Sequence, residues 1–194
     1  MRIVAGRFKG RALAAPKSRD IRPTSDRLRE ALFDILAHRF GERLEGARVL
    51  DLFAGTGALG LEALSRGAAS VLFVDSGVEA RALIRENVEA LAQGGVTRIF
   101  RADAAKLGKA PAGPPFTLVF LDPPYGQGLA APALRSLVEG GWLAADALVV
   151  VEEEAAAEIA APAALTRLDS RRYGDAQLAL FTHGAADEAT GGAH

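Results

Sequence analysis

Residues 49–60, Val49-Leu50-Asp51-Leu52-Phe53-Ala54-Gly55-Thr56-Gly57-Ala58-Leu59-Gly60, constrain the fold of this chain more than any other stretch. Val49, Leu50, Leu52 and Phe53 make the short apolar run of a parallel strand covered on both faces. Gly55 and Gly57 permit a sharp turn and a close ligand approach, and Gly60 lets the following helix pack near the strand. The spacing Gly55-x-Gly57-x-x-Gly60, with Asp75 ending the next strand as an acceptor for ribose hydroxyls, matches the dinucleotide fingerprint. Asp51 argues against a pyrophosphate. It ends the strand where a ligand would sit, and a carboxylate there repels phosphate but suits a cation. S-adenosylmethionine fits, with an amino group for Asp51, a sulfonium, ribose hydroxyls for Asp75 and no phosphate.

The rest of the chain alternates around this unit. A helix from Ala58 to Arg66 stops at Gly67, a strand spans Ser70–Asp75, a helix spans Val78–Ala92, and a strand from Val96 to Arg101 leads to Asp103. A helical turn is expected at Lys106–Lys109. Then follow a strand at Phe116–Leu121, a helix at Ala130–Glu139, a strand at Ala147–Glu152 and a weak helix at Glu153–Ala160. An antiparallel pair, Leu165–Arg172 and Gln177–Thr182, turns at Gly174-Asp175. Strand–helix alternation predicts an α/β, Rossmann-like, doubly wound sheet. Ahead of it, Arg22-Pro23-Thr24-Ser25-Asp26 predicts a helix start with Pro23 or Thr24 near the cap. Leu28, Leu32, Ile35, Leu36 and Phe40 face the core, Arg27 and Arg29 point elsewhere, and Gly41 ends the helix.

Composition matters where it excludes. With no cysteine and three scattered histidines, neither a disulfide framework nor a zinc site is expected. No apolar run is long enough for a membrane span, and Met1-Arg2-Ile3-Val4 is no signal sequence, so a cytoplasmic place is expected. The net charge of −1 conceals a sorting of charge. Residues 1–29 carry nine Lys or Arg against Asp20 and Asp26, a net +7, which leaves −8 for the remainder. Arg2–Ala5 and Arg11–Ala14 read as short strands around Gly6-Arg7-Phe8-Lys9-Gly10, a hairpin presenting Arg7, Phe8 and Lys9 outward. With Arg11, Arg22 and Arg27 it forms a basic arm suited to nucleic-acid phosphate. The expected layout is an arm at 1–22, a catalytic domain at 23–183 and a disordered tail at 184–194, acting as a monomer.

The second informative stretch is Leu121-Asp122-Pro123-Pro124-Tyr125, directly after a strand. The first and fourth strands of such a sheet flank its switch point, which brings Asp122 and Tyr125 beside Gly55 and Gly57. An exocyclic base amine is a poor nucleophile because its lone pair delocalises into the ring. The Asp122 carboxylate and Pro123 carbonyl can accept its two N–H groups, Pro123 and Pro124 fix the backbone, and Tyr125 offers a stacking face. The base must then be unpaired or flipped out.

Asp51-x-Phe53-x-Gly55-x-Gly57 together with Asp122-Pro123-Pro124-Tyr125 resembles the amino-methyltransferases. Arg2-Ile3-Val4-Ala5-Gly6, Gly10-Arg11, Arg22-Pro23-Thr24-x-x-x-Leu28-Arg29-Glu30-Ala31-Leu32-Phe33 and Arg172-Tyr173-Gly174-Asp175 resemble the bacterial RsmD family, the 16S ribosomal RNA guanine-N2 methyltransferases. The resemblance covers nearly the whole chain. It implies a class I, seven-stranded methyltransferase sheet with an N-terminal β-hairpin extension and S-adenosylmethionine as donor. The implied target is a guanine of 16S RNA in an assembled or assembling small subunit. It further implies that Asp51, Phe53, Gly55 and Gly57 hold the methionine end, Asp75 the ribose, Asp103 with Ala104 the adenine edge, and Asp122–Tyr125 the base. Three other readings stay open from the residues alone: a DNA adenine-N6 or cytosine-N4 methyltransferase, a nicotinamide oxidoreductase opposed by Asp51, and a non-catalytic RNA-binding module.

Overall fold

Strand β1 (Arg48–Leu52) lies inside the molecule because it is apolar on both faces, with Val49, Leu50 and Leu52 wholly shielded from solvent. The computed structural model describes residues 1–16 and 25–184, and all element counts refer to those residues. Around β1 run β2 (Ser70–Val74), β3 (Thr97–Phe100), β4 (Phe116–Leu121), β5 (Leu143–Glu154), β6 (Leu165–Tyr173) and β7 (Ala176–His183). They form one seven-stranded sheet in the order β3-β2-β1-β4-β5-β7-β6. Pairing is parallel from β3 to β5 and antiparallel for β5–β7 and β7–β6. The order reverses direction between β1 and β4, which puts the switch point there.

Four helices cover the two faces: α1 (Asp26–Leu44), α2 (Ala58–Ser65), α3 (Val78–Ala90) and α4 (Ala130–Glu139). One apolar cluster joins Phe33 and Leu36 of α1, Leu61 and Leu64 of α2 and Ile84 of α3 to Phe73 and Phe120 of the sheet. The other joins Leu134 and Leu137 of α4 and Trp142 to Leu50, Val119 and Leu121. Such two-sided coverage is what near-continuous apolar strands require. The sheet's two outer strands are guarded differently. β3 has only four residues and exposes Arg98, while β6 exposes Arg167, Arg171 and Arg172 and shifts register between Arg167 and Asp169.

Several elements depart from expectation. Helix α1 is capped by Ser25, whose side chain accepts from the Leu28 N–H at 3.1 Å, while Pro23 and Thr24 lie outside the described residues. It runs past Gly41 to Leu44, with a kink at Phe40 (φ −139°, ψ 28°), because continuing the turn buries Leu44. Arg29 does not point outward. It is fully buried, donating to the Arg2 carbonyl and to Asp26, and its guanidinium lies 3.5 Å from the buried Glu62 carboxylate. The weak helix expected at Glu153–Ala160 is replaced at its start by strand. Glu153 and Glu154 pair with Gln177 and Ala176 of β7, and cross-strand pairing outweighs the helical propensity of the alanines. The expected turn at Lys106–Lys109 lies earlier, as a 3-10 turn at Ala104–Lys106.

The N-terminal segment is a docked loop pair with a single antiparallel bridge, Arg2 to Ala12, around a 3-10 turn at Gly6–Phe8. Ile3 and Leu13 bury themselves in the α1–α3 cluster, so the strands stop where their side chains find that core. Glu62 on α2 accepts both the Val4 and Ala5 N–H groups, at 2.8 and 2.9 Å, and Ser65 accepts from Phe8. Among the described residues, no helix is long and apolar enough to cross a membrane, and no group of three or more His, Cys, Asp or Glu could hold a metal.

Candidate active site

The turn after β1 is built from left-handed backbone. Phe53 (φ 56°), Gly55 (φ 57°) and Gly57 (φ 77°) reverse the chain, and Gly57 caps α2. A positive φ at Phe53, which is not glycine, is backbone strain held in place by its surroundings. At Gly60 a Cβ would stand 2.5 Å from Phe73 and 2.7 Å from Val71, so only glycine lets α2 lie this close to β2. That approach delivers the Gly60 N–H to Asp51, whose Oδ2 accepts it at 2.9 Å.

Asp51 is 1% exposed. Burial, only partly offset by the Gly60 N–H, and the negative charges of Asp122 and Asp75 hold its carboxyl well above the ordinary carboxylate range. A group in that state regains its charge readily only beside a cation. This is the fit a donor carrying an ammonium group requires. Asp75 at the end of β2 accepts from Gly55 N–H at 2.9 Å and from Gly77 N–H at 2.7 Å, one bond per carboxylate oxygen. It therefore ties the glycine turn to the end of β2, and each oxygen keeps acceptor capacity for a ribose hydroxyl.

The second half of the site comes from β4 and β5. Leu52 of β1 pairs with Leu121 of β4, which pairs with Val151 of β5, so Asp122 and Glu152 sit one residue beyond the paired row on neighbouring strands. The Asp122 N–H continues the ladder to the Leu52 carbonyl at 3.4 Å. Pro123 is buried and Tyr125 half-buried, its hydroxyl donating to Glu152 Oε1 at 3.0 Å.

Both halves open into one cleft of about 920 Å³, lined by Asp51, Phe53, Gly55, Asp75 and the whole Asp122–Tyr125 loop. Gly57 shapes the turn without lining the cleft. Nor do Asp103 and Ala104 line it. Asp103 accepts from the Ala105 N–H at 2.9 Å, capping the local turn, and Ala104 is buried in the α4 cluster. Arg27 is exposed and does line the cleft. Arg7, Phe8, Lys9 and Arg11 lie elsewhere. Arg7 and Lys9 are exposed, but Phe8 is half-buried under the Arg7 guanidinium, 4.6 Å from its ring centre, because its ring packs on the core. Arg7 bonds Gln93 and Arg11 bonds the Ala90 carbonyl, fastening this segment to α3 and its end. Arg22 lies outside the described residues.

Sequence reasoning missed Thr56, Glu79, Glu152 and Tyr173 as lining residues. For Glu152 the signal was present: it is the first acid after the apolar run Ala147–Val151, on the strand next to that of Asp122. The cleft thus gathers Asp51, Asp75, Glu79, Asp122 and Glu152 against Arg27. That balance disfavours a pyrophosphate and favours a cationic ligand.

The model for the family described as "Conserved hypothetical protein 95" matches residues 1–182. The ribosomal RNA small subunit methyltransferase D of Escherichia coli strain K12 is 41% identical over 156 residues, which is 79% of this chain and 75% of that one. The solved structure of yhhF from Escherichia coli superposes with a TM-score of 0.80 at 34% identity, covering 96% of this chain and 99% of that one. An RNA methyltransferase from Salinibacter ruber, solved in complex with S-adenosyl-L-homocysteine, shares the fold alone, with a TM-score of 0.63 at 12% identity over 87% of this chain and 98% of that one.

Proposed function

The chain belongs to the family of conserved hypothetical protein 95, the RsmD family, and on that premise we propose that it is an S-adenosylmethionine-dependent ribosomal RNA methyltransferase acting on guanine N2 of 16S RNA. The observation that carries this reading is the single acidic cleft at the β1–β4 switch point. It joins a buried carboxyl placed to meet a cationic group, Asp51, to the Asp122–Tyr125 loop.

S-adenosylmethionine supplies an electrophilic methyl carbon on sulfur and departs as the thioether. Asp51 and the turn around Phe53 and Gly55 hold its amino-acid end, and Asp75 takes its ribose hydroxyls. On the acceptor side, Asp122 and the Pro123 carbonyl accept the N2–H bonds. This holds the amine still and favours a lone pair directed out of the ring plane. The nitrogen gains the methyl and loses one proton, to Asp122 or to water, so no strong base is required. Tyr125 stacks on the extruded base. Asp103 and Ala104, in the segment that follows β3, are proposed to contact the adenine edge.

In this reading Arg7, Lys9, Arg11 and Arg22 of the basic segment within residues 1–22, with Arg27 at the cleft rim, contact RNA phosphate, and Phe8 supports the Arg7 guanidinium from below. Residues 23–183 form the catalytic domain and 184–194 a tail. Such contacts position more than they specify, which favours an assembled or assembling small subunit as substrate, met by a monomer in the cytoplasm. The test is tritium transfer from labelled S-adenosylmethionine to small subunits from a strain lacking the gene, beside stripped 16S RNA and unmethylated DNA, followed by nucleoside analysis. N2-methylguanosine on the subunit is the expected product. Label on DNA alone overturns the RNA assignment.

A further inference from the structure

We propose that Glu152 is the residue that selects guanine, its carboxylate accepting the N1–H beside the N2–H bonds held by Asp122 and the Pro123 carbonyl. The proposal rests on the guanine-N2 reading above and deepens it. Glu152 is 6% exposed, yet it lines the cleft. Strand register places it beside Asp122: Leu121 pairs with Val151, so the next residues, Asp122 and Glu152, leave neighbouring parallel strands side by side. In strand alternation both share the sheet face of Phe120 and Val150, the face covered by α1. Tyr125, whose ring is assigned to the base, donates its hydroxyl to Glu152 Oε1 at 3.0 Å, which locates this carboxylate at the base end of the cleft.

The chemistry then discriminates. Ionised carboxylates only accept hydrogen bonds. The Watson–Crick edge of guanine offers three N–H bonds on adjacent nitrogens, one at N1 and two at N2. Adenine and cytosine each place a ring-nitrogen lone pair beside their exocyclic amine. A loop of the Asp-Pro-Pro-Tyr kind can hold any of the three amines, so Asp122 alone chooses poorly. A second carboxylate facing the ring nitrogen accepts from guanine but meets lone pair with lone pair in the others. A buried acceptor left facing a lone pair is costly, which is how such sites reject near-isosteres.

The test replaces the target guanine with 2,6-diaminopurine, which keeps the N2 amine but carries a lone pair at N1. The base is introduced by ligation into 16S RNA, followed by reconstitution of the subunit. The native protein is expected to methylate guanine at least about a hundredfold faster, as kcat/KM. Glu152→Gln still accepts from Tyr125 but can donate its amide to N1, and is expected to bring that ratio to within about tenfold of unity. S-adenosylhomocysteine titration verifies that the variant is folded and binds cofactor. Tyr125→Phe removes the hydroxyl contact and is expected to slow both bases while leaving the native ratio. Equal native rates on the two bases, or an unchanged ratio in Glu152→Gln, overturn the proposal while leaving guanine-N2 transfer standing. A native protein that methylates no guanine in the subunit overturns both.

Discussion

The two halves of the cleft are made in different ways. The half around Asp51 and Asp75, the proposed cofactor side, is backbone: a left-handed turn through Phe53, Gly55 and Gly57, and N–H groups of Gly55, Gly60 and Gly77 already committed to Asp75 and Asp51. That turn and the two carboxylates lie in one β-α-β unit, residues 48–77. The other half, the proposed acceptor side, is side chain, assembled across strands, with Tyr125 and Glu152 meeting across 27 residues of sequence and Tyr173 and Arg27 reaching the same space from further away. A turn that satisfies its own polar groups is rigid before anything binds. A constellation of separate side chains owes its geometry to strand register. The first suits a ligand that is always the same, and the second suits the proposed task of matching one base.

Four measurements would break or sharpen this contrast. Asp122→Ala should lower kcat by about 10³-fold while leaving S-adenosylhomocysteine affinity within about twofold, because its main loss is amine positioning. Equal losses in both would mean that the halves are not separable. Gly60→Val, which must insert a side chain where Phe73 and Val71 already stand, should cost about 2–3 kcal/mol in urea unfolding and weaken cofactor binding through Asp51.

Asp51→Asn should weaken cofactor binding by about 10- to 100-fold, read by titration calorimetry. Its stability effect has the opposite sign. A carboxyl raised above its ordinary value of 3.8 stabilises the fold fully below that pH, and this contribution fades as pH climbs through the folded value. Asparagine does not titrate, so the variant without cofactor should outlast the native protein at neutral pH. The gap should close towards pH 4. Smallest of the four, replacing Arg7 and Lys9 together with alanine should weaken RNA binding several-fold and flatten its salt dependence by about 1.5 in log–log slope, with cofactor affinity unchanged. An unaltered slope would remove the N-terminal segment from the RNA interface.

The same contrast explains what could be read from the chain. Asp51, Gly55, Gly57 and Gly60 were legible because a backbone turn writes its requirements into consecutive residues. Asp122–Tyr125 was legible because two prolines after an apolar strand leave few conformations. Glu152 was legible only as the first acid after an apolar run, since its place beside Asp122 depends on which strand lies next to β4, and that is settled by the crossover through α4. Arg29 was misjudged for a related reason. A cation on a helix is ordinarily solvated, and Asp26, Glu62 on α2 and the docked Arg2 carbonyl make burial tolerable. The alanine-rich run after Glu152 showed local propensity yielding to a partner strand, β7, that lies later in the chain.

The two outer strands carry a last consequence. An open sheet can in principle recruit another molecule along its rim and grow without limit. Here one rim is only four residues long with Arg98 on it, and the other sets Arg167, Arg171 and Arg172 along a strand whose ladder slips by a residue. Each is a poor template for a newcomer, whether a second folded molecule or a half-made chain still leaving the ribosome. The same arginines that blunt the rim also keep their stretch of it hydrated.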